Sequence, residues 1–366
     1  MILAALLVLA QAATPPADPD FFPLAVWLQS PRNAAAYKAA GINTYVGLYG
    51  RPGAEQFDAL KAAGMKVVCR QSAFALSRKD DPSILAWMHG DEPDNAQARP
   101  GGGYGPPVPP ERIQEDYRRI KAADPSRPVF LNLGQGVAWD GWVGRGVRTN
   151  HPEDYPEYLK GCDIASFDIY PAVHDKEEIA GKLWYVPRGV ERLRKWGGET
   201  KAVWNCIEAS RIENEKVKPT AAQIRAEVWM SLVHGSRGIV YFVHQFKPRF
   251  VEASLLQDPE LLAAVTEINR QICALAPVLN SPAVKDPATV ASSAAEVPIA
   301  SVTKRHDGAT YVFAVAMRDG PARAALSGLG GASSAEVLGE GRSIPVKDGS
   351  FEDDFKGYEV HLYRVK

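Results

Sequence analysis

Extended apolar segments alternate with helical ones eight times over in the first three quarters of this chain, and no other feature constrains the fold as strongly. The extended segments fall at 21–29, 42–50, 65–72, 83–92, 128–136, 162–171, 200–210 and 237–246. Helical stretches such as PRNAAAYKAAG, AEQFDALKAAG, PERIQEDYRRIKAAD and TAAQIRAEVWMSLVHG separate them, the one after 65–72 shortened to about a turn. Near-continuous apolar strands joined by helices imply a parallel sheet covered on both faces. Eight such units within about 250 residues predict a (β/α)8 TIM barrel, closed by the helical run DPELLAAVTEINRQICALAPVL. From residue 281 the pattern shortens to alternating strands, with Asp307-Gly308 as a hairpin signal inside VPIASVTKRHDGATYVFAVAMRD. A small C-terminal all-β sandwich over 281–366 is expected, packed on a barrel over 21–280.

Loop lengths select the working face. Connections from helix to strand are tight, whereas those from strand to helix at 93–110, 134–152 and 171–187 are long. Loops after strands form the C-terminal mouth of a barrel, where such folds hold their chemistry. Two carboxylate positions stand out there: Asp91-Glu92-Pro93 at the end of the fourth strand, and Glu208, in WNCIEAS, at the end of the seventh. Both have blander readings, as a first-turn helix acid and as a loop acid.

Placed on those strands, the two glutamates give the chain a resemblance to glycoside hydrolase clan A, the retaining enzymes built on a (β/α)8 barrel. The resemblance covers about residues 21–280. It implies that Glu92 is the general acid/base and Glu208 the nucleophile of a double displacement on an oligo- or polysaccharide. Asp91 stands where the clan commonly has Asn, which marks a divergent family and leaves the contact to the sugar 2-hydroxyl open. The chemistry needs two carboxyls because one protonates the leaving oxygen while the other attacks the anomeric carbon. A gap of about 5 Å permits direct attack and a wider one admits water.

Supporting residues follow from strand parity and position. Asp168 and Tyr170 in SFDIYP share one face of the sixth strand; His244 ends the eighth strand and Gln71 the third. Trp27, Tyr49, Trp139 and Trp142 are aromatic residues at or near the mouth, suited to stack on the C–H faces of sugars. Two other functions use the same residues. A metal-dependent barrel hydrolase or isomerase could draw on His89, Asp91, Glu92, Asp168, His174 and His244, although no H-x-H or H-x-x-x-H spacing appears. A non-catalytic carbohydrate-binding protein would need only the aromatic residues.

Composition narrows the partners. A formal net charge of −1 gives no electrostatic reason to expect nucleic acid or an anionic membrane, and no cofactor or structural-metal motif is present. MILAALLVLAQA at 1–12 closes in an Ala-x-Ala pattern that suits signal-peptide cleavage. With 13–20 as a linker, that points to a secreted or periplasmic protein with no transmembrane segment in its mature form. The four cysteines, far apart and in apolar or element-edge contexts, read as buried free thiols.

Overall fold

The computed structural model describes residues 18–366 apart from 51 and 283. The expected signal peptide at 1–12 and most of the linker lie outside the described residues. Strands β1 (Leu24–Gln29), β2 (Thr44–Leu48), β3 (Lys66–Cys69), β4 (Ile84–Met88), β5 (Val129–Leu133), β6 (Ile164–Phe167), β7 (Ala202–Val203), β8 (Asn205–Glu208) and β9 (Ile239–Phe242) form one parallel sheet. β7 pairs with β6 and β8 with β9. They are two halves of the seventh barrel strand, interrupted at Trp204, and β1 pairs with both β2 and β9 to close the ring. The interior is filled by side chains, among them Trp27, Val46, Val68, Met88, Phe130, Trp204, Cys206 and Val240, as a packed barrel requires.

Helices α1 (Ala34–Ala39), α2 (Ala54–Ala62), α3 (Ala73–Ser77), α4 (Pro110–Ala123), α5 (Tyr155–Leu159), α6 (Tyr185–Gly197), α7 (Ala221–Val233) and α8 (Pro259–Ala274) surround the strands. The closing helical run breaks at Leu275, and a short α9 (Ala276–Asn280) follows. Helix starts carry their caps: Thr220 and Gln223 form a reciprocal capping box on α7, and the Asp258 carboxylate accepts from the amide of Leu261 on α8. No helix among the described residues is long and apolar enough to cross a membrane.

The C-terminal domain is a β-sandwich of two antiparallel sheets. One contains β10 (Thr289–Ser292), β13 (Ala322–Ser327) and β16 (Phe351–Phe355); the other contains β11 (Ile299–His306), β12 (Ala309–Ala316), β14 (Ser334–Val337), β15 (Arg342–Pro345) and β17 (Val360–Val365). β11 and β12 meet at the expected turn, with Asp307 and Gly308 both at positive φ. Phe351–Phe355 is a strand that the acidic FEDDF did not suggest; its two phenylalanines are buried, Asp353 on the same face accepts from Arg342 and from the Tyr363 hydroxyl, and Glu352 and Asp354 face outward. All four cysteines are free; Cys69, Cys162 and Cys206 are buried, while Cys273 is exposed on α8.

Helix α7 joins the two domains because it is buried on every side from Ala226 to Val233. Trp229 packs edge-on against Phe313 of β12, with ring centroids 5.2 Å apart. On the barrel side, Asn205 donates to Ser231 at 2.9 Å, and Glu227 faces Glu208 at the end of β8. Both glutamates are wholly inaccessible to solvent. No donor reaches either oxygen of Glu227, so a shared proton is what reconciles the two carboxyls. Burial pushes Glu208 up to about 7, and burial together with the Glu208 charge raises Glu227 well above the ordinary range.

Two outcomes follow from this packing. Phe313→Ala, which removes the aromatic contact to Trp229, is expected to cost about 3–5 kcal/mol in chemical denaturation. The second concerns pH. The unfolded chain releases the Glu208 proton near the ordinary 4.5, whereas the folded chain holds it to about 7. Stability therefore falls as pH rises through that window, by up to about 1.4 kcal/mol per pH unit for each proton retained. Glu227→Gln, neutral and able to donate to Glu208, is expected to flatten this slope and to raise the melting temperature more at pH 8 than at pH 5.

Candidate active site

The backbone ladder of β4 runs on past Met88, with the His89 amide donating to the Phe130 carbonyl at 3.0 Å and the Glu92 amide to that of Asn132 at 3.2 Å. His89 itself turns away from the barrel axis to the carbonyl of Gly161 at 2.8 Å. Glu92 adopts φ 40°, a left-handed conformation that costs a non-glycine residue energy and persists only where neighbours enforce it. The enforcing group is Asp94. Its wholly buried carboxylate accepts from the Gly134 amide at 2.9 Å and from the Tyr155 hydroxyl at 3.0 Å, and Arg145 donates to its carbonyl. The loop after β4 is thereby tied to the loop after β5.

Three carboxyls converge above the barrel core. Asn132, an inward polar residue of β5, donates its amide nitrogen to Asp91 at 3.0 Å and approaches Asp168 at 3.5 Å. Glu92 is hydrogen-bonded to Asp168 and to Asn95. The indole of Trp142 donates to the Asn95 amide oxygen at 2.9 Å, which turns the amide nitrogen of Asn95 toward Glu92. Gly134 makes room for this arrangement, because a Cβ there would stand 2.8 Å from the Asn95 amide and 2.9 Å from Glu92. Burial, and then the charges of Asp91 and Asp94, push Glu92 up to about 8. Burial and Glu92 raise Asp168 as well. The pair thus holds a proton at neutral pH.

The carboxyls lie in a cleft of ≈ 720 Å³ at the C-terminal mouth. Of the residues expected at the site, Asp91, Glu92, Asp168, Tyr170, Trp27, Trp142, Tyr49 and His244 line it. Three do not. Trp139 lies buried behind Trp142, its indole donating to Glu178 at 2.9 Å. Gln71 donates to the carbonyl of Ile120 on α4 at 3.0 Å, away from the mouth. Glu208, expected as nucleophile, is the largest departure. It accepts from the Ala172 amide at 2.6 Å and faces Glu227, so the loop after β6 seals it from the cleft. The Gly-rich part of the 93–110 loop also leaves the mouth, folding on itself through an Ala98–Tyr104 bridge.

The wall facing the carboxyls is aromatic. Tyr49 stacks on Phe250 at 6.2 Å, and Phe246 and Phe250 both lie against His244; Tyr49, Phe246 and Phe250 are exposed. The His244 tautomer is set from behind. Gln29 accepts from Tyr37 through its oxygen, and its nitrogen donates to His244 Nε2 at 3.1 Å. The imidazole proton therefore resides on Nδ1. Phe246, Phe250, Gln135 and Asn132 were not singled out from the sequence. A lone Asn inside the apolar VFLNL and the aromatic residues of HQFKPRF after the last strand were the available signals. The imidazoles of a possible metal site are dispersed: His89 is turned to Gly161, His174 to Gln135 and His244 to Gln29.

No family model matches the chain, and no curated protein matches its sequence. Solved structures do resemble it in fold. An alpha-amylase from Anoxybacillus superposes with a TM-score of 0.58 at 10% identity, over 95% of this chain and 98% of that one. A putative alpha-galactosidase/melibiase from Bacteroides fragilis gives 0.55 at 10% identity, over 95% and 79%. A GH30 endoxylanase from Clostridium papyrosolvens gives 0.50 at 10% identity, over 94% and 96%. At such identities the likeness is one of architecture: a barrel followed by a β-domain.

Proposed function

We propose that this chain is a glycoside hydrolase whose proton donor is Glu92. The observation that carries the reading is the Glu92–Asp168 carboxyl pair, holding a proton at the floor of an aromatic-walled cleft at the barrel mouth. A glycosidic oxygen leaves only when protonated, and a carboxyl pushed up to about 8 is still protonated at neutral pH. Exposed Tyr49, Phe246 and Phe250, with Trp27 and Trp142, offer flat apolar faces to sugar C–H surfaces. Gln135 and Asp91 supply hydrogen-bonding groups for hydroxyls. The fold of the amylase, galactosidase and xylanase neighbours agrees with this reading and does not by itself establish it. An export signal would suit an enzyme acting on sugars outside the cytoplasm.

A double displacement through Glu208 has no support from its position. A nucleophile must touch the anomeric carbon, and Glu208 is sealed behind the loop after β6. Glu92 remains the residue on which hydrolysis depends. Assayed on a panel of aryl glycosides and oligosaccharides, Glu92→Gln is expected to lower kcat by about 10²–10⁴-fold. The loss should be greatest for poor leaving groups, with the fold retained by circular dichroism. Activity of the unaltered enzyme should fall as pH rises through about 8, as Glu92 loses its proton. Near-normal turnover by Glu92→Gln would remove this assignment.

A further inference from the structure

The arrangement of acids in the cleft is one-sided. Asp91, Glu92 and Asp168 all stand on the β4–β6 side: Asn132 links Asp91 to Asp168, and Glu92 and Asp168 are hydrogen-bonded to each other. Two carboxyls in contact cannot flank an anomeric carbon, which needs them about 5 Å apart for direct attack or about 6.5–9.5 Å apart with a water between. The facing wall, Trp27, Tyr49, Phe242, His244, Phe246 and Phe250, carries no carboxylate. Asp175 and Glu213 also line the cleft, as exposed residues of the loops after β6 and β8. Among the described residues, the wall facing Glu92 thus places no carboxylate opposite it to act as nucleophile.

A second observation concerns Tyr170. Its hydroxyl is buried and has no hydrogen-bond partner, yet the residue lines the cleft and the hydroxyl lies beside Asp168, Glu92 and Asp91. A buried hydroxyl left unpaired costs free energy, which a ligand atom placed there would recover. Ionised carboxylates, in contrast, only accept. A ligand group matching both must offer an N–H to an acid and an oxygen acceptor to Tyr170, and an amide does.

We infer that the cleft takes β-glycosides of 2-acetamido-2-deoxy sugars, and that the substrate's own amide oxygen is the nucleophile. The inference rests on Glu92 being the proton donor. In the first step the amide oxygen lone pair forms a bond to C1 while the C1–O glycosidic bond breaks. The leaving oxygen keeps that electron pair and takes the proton from Glu92. The resulting cyclic oxazolinium carries its positive charge next to Asp91 and Asp168, either of which accepts its N–H, while Tyr170 orients the oxygen before attack. In the second step water attacks C1 and gives its proton to Glu92. The C1–O bond to the amide breaks, its pair returns to the amide, and the sugar leaves with its configuration retained. Attack from the neighbouring position requires the acetamido group and the leaving group to be trans, hence a β-glycoside in the gluco or galacto series.

The test compares matched aryl β-glycosides that differ only at C2, acetamido against hydroxyl, on the whole protein. A trifluoroacetamido analogue and calorimetry with the 1,2-fused thiazoline of the amino sugar accompany them. The expected result is turnover of the acetamido compound at least about a hundredfold faster than that of the hydroxyl compound. The trifluoro analogue should be slower, the first-formed product β by NMR, and thiazoline binding weakened in Tyr170→Phe. Comparable cleavage of the 2-hydroxy glycoside would overturn the inference and leave the glycosidase reading standing. No cleavage of any glycoside together with no binding of the thiazoline would overturn both.

Discussion

Backbone pairing around the ring fixes where every functional side chain can stand. Each parallel strand must satisfy its amides and carbonyls on both sides, and the ring closes only because the seventh strand steps at Trp204, handing its partner from β6 to β9. The Trp204 ring fills the barrel interior at that step, edge-on to Phe130 with centroids 5.6 Å apart. With the ring closed, the ends of β4, β5 and β6 lie side by side. Asn132 on β5 can then reach Asp91 after β4 and Asp168 after β6.

The same electrostatic problem arises twice in this molecule, with different consequences. Glu208 and Glu227 face each other in the wall between β8 and α7, and Glu92 and Asp168 face each other in the cleft. In both, burial disfavours charge and a proton resides between two carboxyls. The first pair is sealed and affects stability alone. The second opens on a cleft, where a retained proton can be given to a leaving group. Access, decided by the loops after β5 and β6, separates a structural pair from a chemical one. Asp94 holds that access open on one side by clamping the β4 and β5 loops through Gly134 and Tyr155.

Much of this was legible in the sequence. Apolar runs separated by helices of ordinary length marked all eight barrel strands, because strands buried on both faces are apolar without interruption. The long loops at 134–152 and 171–187 do line the mouth through Trp142 and His174, whereas the Gly-rich part of 93–110 folds back on itself. Asp91 and Glu92 were visible as carboxylates ending a buried strand. Asp94, two residues beyond Glu92, stood out only as one more acid of the same run and was given no role, since an acid in a polar loop gives no sign that it will be buried under Tyr155 and Arg145.

Strand order, the barrel, the hairpin at Asp307-Gly308 and the position of Glu92 were determined by the sequence itself, because periodicity and turn chemistry act over a few residues. Which carboxyls meet was decided only by the tertiary structure. Counting strands placed Glu208 opposite Glu92, and nothing local to WNCIEAS distinguishes a carboxyl that faces the axis from one drawn to the Ala172 amide and to Glu227. At the last ladder residue the sheet no longer dictates where a long side chain ends. Partners 36 residues away in one case and on a following helix in the other fixed it, as contact with Glu92 fixed the role of Asp168.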